Sequence, residues 1–376
     1  MSIGERIKVA HGEIRVGQAL PWPLYDGEGQ LLLRQSYVIQ TDSQLERLLD
    51  RGVYRPEPDG TKRRDSDAAA NKPLTPFDKI GFLEVRLRSI FDDILAKKNG
   101  VAARVIEFCD DLQELCDEDS DAALGALHLD HHGSYTIFHP IHVALLCELL
   151  GRRLRIDLHQ RLSLLAAAVT ANVGMLELQE VLHNQTDPLT KAQREALNRH
   201  PVDGVAILIA AGVDDETWLE AVIQHHERPD GSGYPHGIRA DAISTPARVL
   251  ALADIYCAMI TPRRYRSEIL AKDALREMFL KRGEEVDGDL VQIFIKEMGI
   301  FPPGALVRLN NGEHAVVIKR SRDATCPRAQ AVAGPRGAPY SVIRERDCSV
   351  DDYGIKEMIH RDKALQLNPA KLWGYD

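Results

Sequence analysis

Apolar and polar positions change rhythm three times along the chain. Up to residue 56, short apolar runs at 13–16, 24–25, 31–33 and 38–39 alternate with turn residues such as Asp26-Gly27-Glu28-Gly29, which predicts a small β-rich module. Leu45, Leu48 and Leu49 predict a short helix over 43–50, ending near Gly52. Residues 57–76 are polar and charged with no apolar period, and they read as a linker. From Phe77 the period becomes helical: Phe77, Ile80, Leu83, Leu87, Ile90, Phe91, Ile94 and Leu95 form one stripe, and Val105, Phe108, Cys109, Leu112 and Cys116 the next. The same period continues through 122–127, 137–155, 159–172, 190–211, 214–227, 246–260 and 271–298, so 77–300 reads as an all-helical domain. After Pro302-Pro303-Gly304, strands are predicted at 305–309 and 315–320 around Asn310-Asn311-Gly312-Glu313, and at 328–333 and 340–344. Residues 301–376 are expected to form a small β appendage that caps the helices. The predicted class is mainly α, with a helical domain between two small β modules.

The chain has 376 residues, 44% of them hydrophobic and 27% charged, which is globular composition and excludes a largely disordered chain. Its net charge of −9 gives no field that would draw nucleic acid or anionic lipid, so neither is expected as a partner. Lys62-Arg63-Arg64 in the linker reads as a solvated charge run. The start of the chain lacks an apolar signal core and no apolar run approaches membrane-spanning length, so the expectation is a cytoplasmic protein. Six cysteines without C-x-x-C spacing read as reduced thiols, mostly in the core.

Histidines carry the chemical signal. His225-His226-Glu227 ends a helical run and is followed at once by Arg228-Pro229-Asp230-Gly231-Ser232-Gly233-Tyr234-Pro235. His139 and His200 each precede a proline on separate helices, and Asp254 interrupts the apolar run 249–256. A carboxylate there needs a strong partner, and a cation is a natural one. A lone histidine on an apolar helix face is usually a hydrogen-bonded core residue, but several on neighbouring helices suggest a shared site. His128, His131 and His132 are expected in a surface loop, and Tyr234 is expected at an exposed loop tip, available for partner contact.

The run 225–237, together with Ala253-Asp254-Ile255-Tyr256 and Arg263-Arg264-Tyr265-Arg266, resembles the HD-GYP family, a branch of the HD superfamily of metal-dependent phosphohydrolases. The likeness extends over about 130–270. It implies a helical domain in which histidines and aspartates hold two or three metals, commonly iron or manganese, and a metal-bridging hydroxide opens cyclic di-GMP to pGpG or GMP. Position by position, it implies that His139 and Asp254 bind a first metal, and that His200, His225 and His226 bind a second. Arg263 and Arg266 are matched to phosphate-holding residues, and Gly231, Gly233, Tyr234 and Pro235 to the loop associated with partner domains.

The family's His-Asp pair is missing. Ala171 stands for the histidine, Asn172 for the aspartate and Met175 for a lysine three residues after it, while Val173-Gly174 keep the register. Alanine removes a ligand, a neutral amide is a poor bridge between dications, and methionine removes a cation near the phosphate. Two readings follow. The preferred one is a degenerate HD-GYP domain acting as a ligand-responsive or partner-binding regulator, and the other is a slow phosphodiesterase. The three histidines are open to one divalent ion (Fe, Mn or Zn) or to none. Cyclic di-GMP, GGDEF or PilZ type signalling proteins and a second copy of the chain are the candidate partners.

Overall fold

The computed structural model describes residues 6–9, 14, 20–25, 31–34, 37, 39, 53–56, 74–129, 133–262, 268–361, 365 and 367–375. The chain divides into two compact units, Met1–Pro73 and Leu74–Asp376. In the first, β1 (Arg6–Lys8), β2 (Leu24–Tyr25), β3 (Leu31–Leu33) and β4 (Tyr54–Pro56) form an antiparallel sheet in the order β1-β4-β2-β3. Val9, Ile14, Leu20, Leu24, Ile39 and Val53 are its buried core. The helix expected at 43–50 and the segment 57–73 lie outside the described residues.

The second unit begins where local chemistry permits a helix. Thr75 accepts from the Asp78 backbone N–H, the Asp78 carboxylate accepts from the Thr75 N–H, and Pro76 follows the cap, so α1 (Pro76–Leu95) starts with a reciprocal capping box. In α2 (Val101–Leu129), Asp119 leaves helical geometry at φ −157° and accepts from the Ala122 N–H. It thereby caps the helix's own second half, so the predicted stretch at 122–127 continues a helix begun at 101. α3 (Tyr135–Arg153) is buried on nearly every side, which marks it as the central helix. Around it stand α4 (Leu158–Thr170), α5 (Leu176–Asn184), α6 (Lys191–Ala210), α7 (Glu216–Gln224), α8 (Thr245–Ile260), α9 (Ala271–Leu280) and α10 (Gly288–Met298). The predicted single helix over 271–298 is two, because residues 281–287 turn between them and Asp287 caps α10. Leu158–Asn184 is apolar and long enough in composition to span a membrane, yet a 3-10 turn at Val173–Met175 divides it into α4 and α5, and most of it is buried.

At the C-terminal end β5 (Leu306–Leu309), β6 (His314–Lys319), β7 (Arg328–Ala333), β8 (Pro339–Asp347) and β9 (Ile355–Met358) form an antiparallel sheet in the order β8-β7-β6-β5-β9, followed by α11 (Pro369–Leu372). Val307, Leu309, Ala315, Val317 and Met358 share one core with the helices. Arg320, just past β6, reaches Asp121 at 2.6 Å, Glu297 at 2.7 Å and Ser120 at 2.9 Å, tying the sheet to α2 and α10. All six cysteines are free thiols, and five are buried.

The hairpin between β5 and β6 holds a second buried charge. The Glu313 carboxylate accepts from Arg346 Nε at 2.7 Å and Nη2 at 2.8 Å, from Tyr340 Oη at 3.0 Å and from Asn311 Nδ2 at 2.9 Å. The Arg346 hydrogen bonds, outweighing burial, hold its acid down to about 2 from an ordinary 4.5. A depressed carboxylate stabilises the fold fully above pH 4.5, and this contribution, about 2–3 kcal/mol, fades as pH falls toward 2. Glu313→Gln is therefore expected to lose about 2 kcal/mol at pH 7 and clearly less at pH 3. Urea unfolding at the two pH values reads this directly, and an equal loss at both would mean that charge is not its source.

Candidate metal centre

Three histidines meet because of how their helices end and break. Pro201 has no N–H to bond the carbonyl four residues before it, so the Leu197 carbonyl is left to accept from His200 Nδ1–H at 2.6 Å. α7 stops at Gln224, and the Val222 carbonyl in its last turn accepts from His225 Nδ1–H, also at 2.6 Å. Both rings therefore present a bare Nε2, and the two Nε2 atoms face each other at 3.3 Å. His226 completes the cluster, with all three ligand nitrogens within 4.8 Å of one another. Burial, reinforced by the neighbouring His225, pushes His200 down to about 3. Burial likewise lowers His225 and holds His226 well below the ordinary imidazole value. Three neutral imidazoles with converging lone pairs repel one another unless a cation lies among them, and desolvation opposes a proton in that role. The donor set fits one divalent first-row ion with an open position for water.

The other half of the site differs. Thr170, the last residue of α4, donates to the Ala166 carbonyl at 2.6 Å and accepts from Trp218 Nε1–H at 2.7 Å, which fixes the end of α4 against α7. Ala171 follows, buried in the core, and Asn172 follows it into a cavity of about 190 Å³. His139, Met175, His226 and Asp254 line the same cavity. A Cβ on Gly174 would lie 2.3 Å from the His200 carbonyl oxygen, so only glycine lets this turn pack against α6 and bring Asn172 and Met175 beside the histidines. His139 Nε2 is 2.8 Å from Asp254 Oδ1. Although burial opposes it, the hydrogen bond and charge of His139 hold Asp254 well below the usual carboxylate range. Asn172 Oδ1 and His139 Nδ1 are buried without hydrogen-bond partners. With one carboxylate, one imidazole and a neutral amide, this half does not fit a second tightly held dication.

Several expectations are placed differently by the structure. Tyr234 does not project as an exposed tip: its ring stacks on His226 with centroids 4.7 Å apart, because its backbone N–H donates to the His226 carbonyl and folds the loop back. His128 is not in a surface loop but in the last turn of α2, where its ring bonds the Leu124 carbonyl and the Tyr256 hydroxyl, each at 2.9 Å. Arg263, Arg266, His131 and His132 lie outside the described residues. Sequence periodicity missed α5, which brings Gln179 and His183 to the cavity wall. It also missed Tyr135, whose ring stacks on His139 at 4.6 Å and on His183 at 4.5 Å. A signal existed for Tyr135, four residues before His139 on one helix face.

Comparison with known proteins agrees with this geometry. Residues 124–290 match the family model described as "HD domain". The chain is 28% identical over 259 residues to the cyclic di-GMP phosphodiesterase PA4108 of Pseudomonas aeruginosa, covering 68% of this chain and 60% of that one. It is 29% identical over 159 residues to a 3'3'-cGAMP-specific phosphodiesterase 1 of Vibrio cholerae, covering 42% and 37% respectively. The chain thus spans about 60% of the length of the first relative and well under half of the second. Among solved structures, Bd1817, an HDG"Y"P protein from Bdellovibrio bacteriovorus, shares the fold with a TM-score of 0.54 at 15% identity, covering 77% of this chain and 98% of that one. Fold and cluster define an HD-domain protein of the metal-dependent phosphohydrolase class. Within that class, the relatives and the structural neighbour that the chain resembles are of the HD-GYP type.

Proposed function

We propose that this protein is a bacterial cyclic di-GMP signalling protein whose HD-GYP domain binds the nucleotide and acts as a regulator, its hydrolytic power largely lost. The observation that carries this reading is the cavity wall, where Asn172 and Met175 stand beside an intact three-histidine cluster, with the buried Ala171 directly before Asn172 in the chain. Two-metal hydrolysis needs both ions to generate the hydroxide and to neutralise charge building on the phosphate. His200, His225 and His226 would hold one ion, whose chemistry is to polarise phosphate oxygen and acidify water. The neutral Asn172 supplies no negative bridge, and Met175 supplies no cation to the phosphate. The curated relatives named for cyclic di-GMP or cGAMP hydrolysis supply the nucleotide class. Arg263 and Arg266 are the proposed phosphate contacts, and Gly231, Gly233, Tyr234 and Pro235 the proposed partner loop, with GGDEF or PilZ type proteins or a second copy as partners. A cytoplasmic location is part of the same proposal.

The intact histidines favour a second reading, a slow single-metal phosphodiesterase with His226 as an essential ligand. Incubation of manganese- or iron-loaded protein with cyclic di-GMP, with pGpG and GMP resolved by chromatography, separates the two. We expect nucleotide binding by equilibrium dialysis and no product above a His226→Ala control. Product released by the native protein and abolished in His226→Ala would establish the phosphodiesterase instead.

A further inference from the structure

We propose that Glu227 is a positioning residue for the histidine cluster: its buried carboxylate pins the 228–238 loop, and the pinned loop holds Tyr234 against the His226 ring. The proposal rests on reading the cluster as a metal site.

The three histidines are not held alike. His200 and His225 are each oriented by an Nδ1–H bond to a carbonyl, whereas His226 makes no side-chain hydrogen bond among the described residues. Its ring is set by packing alone, with centroids 4.0 Å from His225, 5.0 Å from His200 and 4.7 Å from Tyr234. Tyr234 is the contact that does not itself belong to the cluster, so whatever fixes Tyr234 fixes the third nitrogen.

Glu227 does so from directly beside the ligand. Its side chain is fully buried, and its oxygens accept the backbone N–H groups of His236 at 2.7 Å and Ile238 at 3.1 Å. The loop crosses back over residues 226–228 closely enough that a Cβ on Gly233 would lie 2.4 Å from the Arg228 nitrogen and 2.5 Å from Glu227 Cα. The Tyr234 N–H then donates to the His226 carbonyl at 3.1 Å. Two charge-assisted bonds on the far side of Tyr234 and one backbone bond at Tyr234 itself thus bracket the ring that stacks on His226. Removing the carboxylate would orphan two backbone donors and release the far side of the bracket. Residues that orient a metal ligand in this way typically cost about 10–100-fold in metal affinity when lost.

The test uses the full chain and cobalt(II), followed by visible absorption with chelator competition. Glu227→Ala and Tyr234→Ala are each expected to weaken cobalt binding at least about tenfold with unchanged helical circular dichroism. The double variant should be within about twofold of the weaker single, because both act through one ring. Glu227→Gln, which keeps the volume and one acceptor oxygen, should lose less than Glu227→Ala. In metal-free protein, the His226 ring-proton resonance, assigned with His226→Gln, should move in Glu227→Ala as the stacked tyrosine leaves. Native cobalt affinity in Glu227→Ala, an unmoved resonance, or additive losses in the double variant would overturn the proposal. Native protein that binds no cobalt would defeat the metal reading, and the resonance alone would then decide whether Glu227 positions His226.

Discussion

Restoring the missing pair, Ala171→His with Asn172→Asp, is expected to raise cyclic di-GMP turnover by at least about a hundredfold over the native protein, since groups that act as a catalytic unit fail together and recover together. Asn172→Asp is isosteric and adds the charge that a bridge between two ions requires. Asn172 lines the cavity of about 190 Å³ together with His139, His226 and Asp254, so the added charge faces the site. In the metal-free protein the new aspartate adds negative charge to a wall that already carries Asp254, so the restored variant should be less stable without metal. It should then gain more than the native chain when manganese is added, through binding to the folded state. Metal analysis should show the bound ions rising toward two per chain. A variant that binds two ions and remains inactive would show that Ala171 and Asn172 are not what silences the domain, and attention would pass to Met175.

The largest loss of stability is expected far from this site, at Glu148. Its side chain is fully buried on α3, and it accepts from Arg152 Nε at 2.5 Å and Gln113 Nε2 at 2.9 Å, with Arg161 Nε at 3.4 Å. One carboxylate thus joins α2, α3 and the start of α4. Glu148→Ala removes the only anion of this group that is fully buried and leaves two guanidinium groups without it, for an expected loss of about 3–5 kcal/mol. Glu148→Gln keeps an acceptor and should lose less. Urea unfolding of the full chain, followed by helical circular dichroism, measures both. A loss under about 1 kcal/mol for Glu148→Ala would mean that solvent reaches the pair and screens it.

Much of the site was legible because its parts are local. His225-His226 and the glycine-rich loop are contiguous, and the His200-Pro201 step carries its own geometric consequence in the freed Leu197 carbonyl. Ala171 and Asn172 could be read as replacements because Val173-Gly174 fix the register between α4 and α5. Glu227 was legible only as a letter of a motif: that its charge is buried, and what it holds, follows from a loop that returns from nine and eleven residues further on. α5 escaped notice because it is nine residues long, too short for Leu178, Val181 and Leu182 to establish a helical period by themselves.

The sequence by itself determined the helical period and many of the turns, since each depends on neighbours within about one helical turn, and it offered the candidate ligands. Only the tertiary structure decided that Tyr234 turns inward onto His226, that His128 meets Tyr256 rather than solvent, that Glu148 binds two arginines, and that β9 joins β5. These pairings span eight residues of chain for Tyr234 on His226 and 128 for His128 on Tyr256, with Glu148 joining a same-helix and a neighbouring-helix arginine, and burial selects them: a polar group removed from water must find a partner wherever the fold brings one.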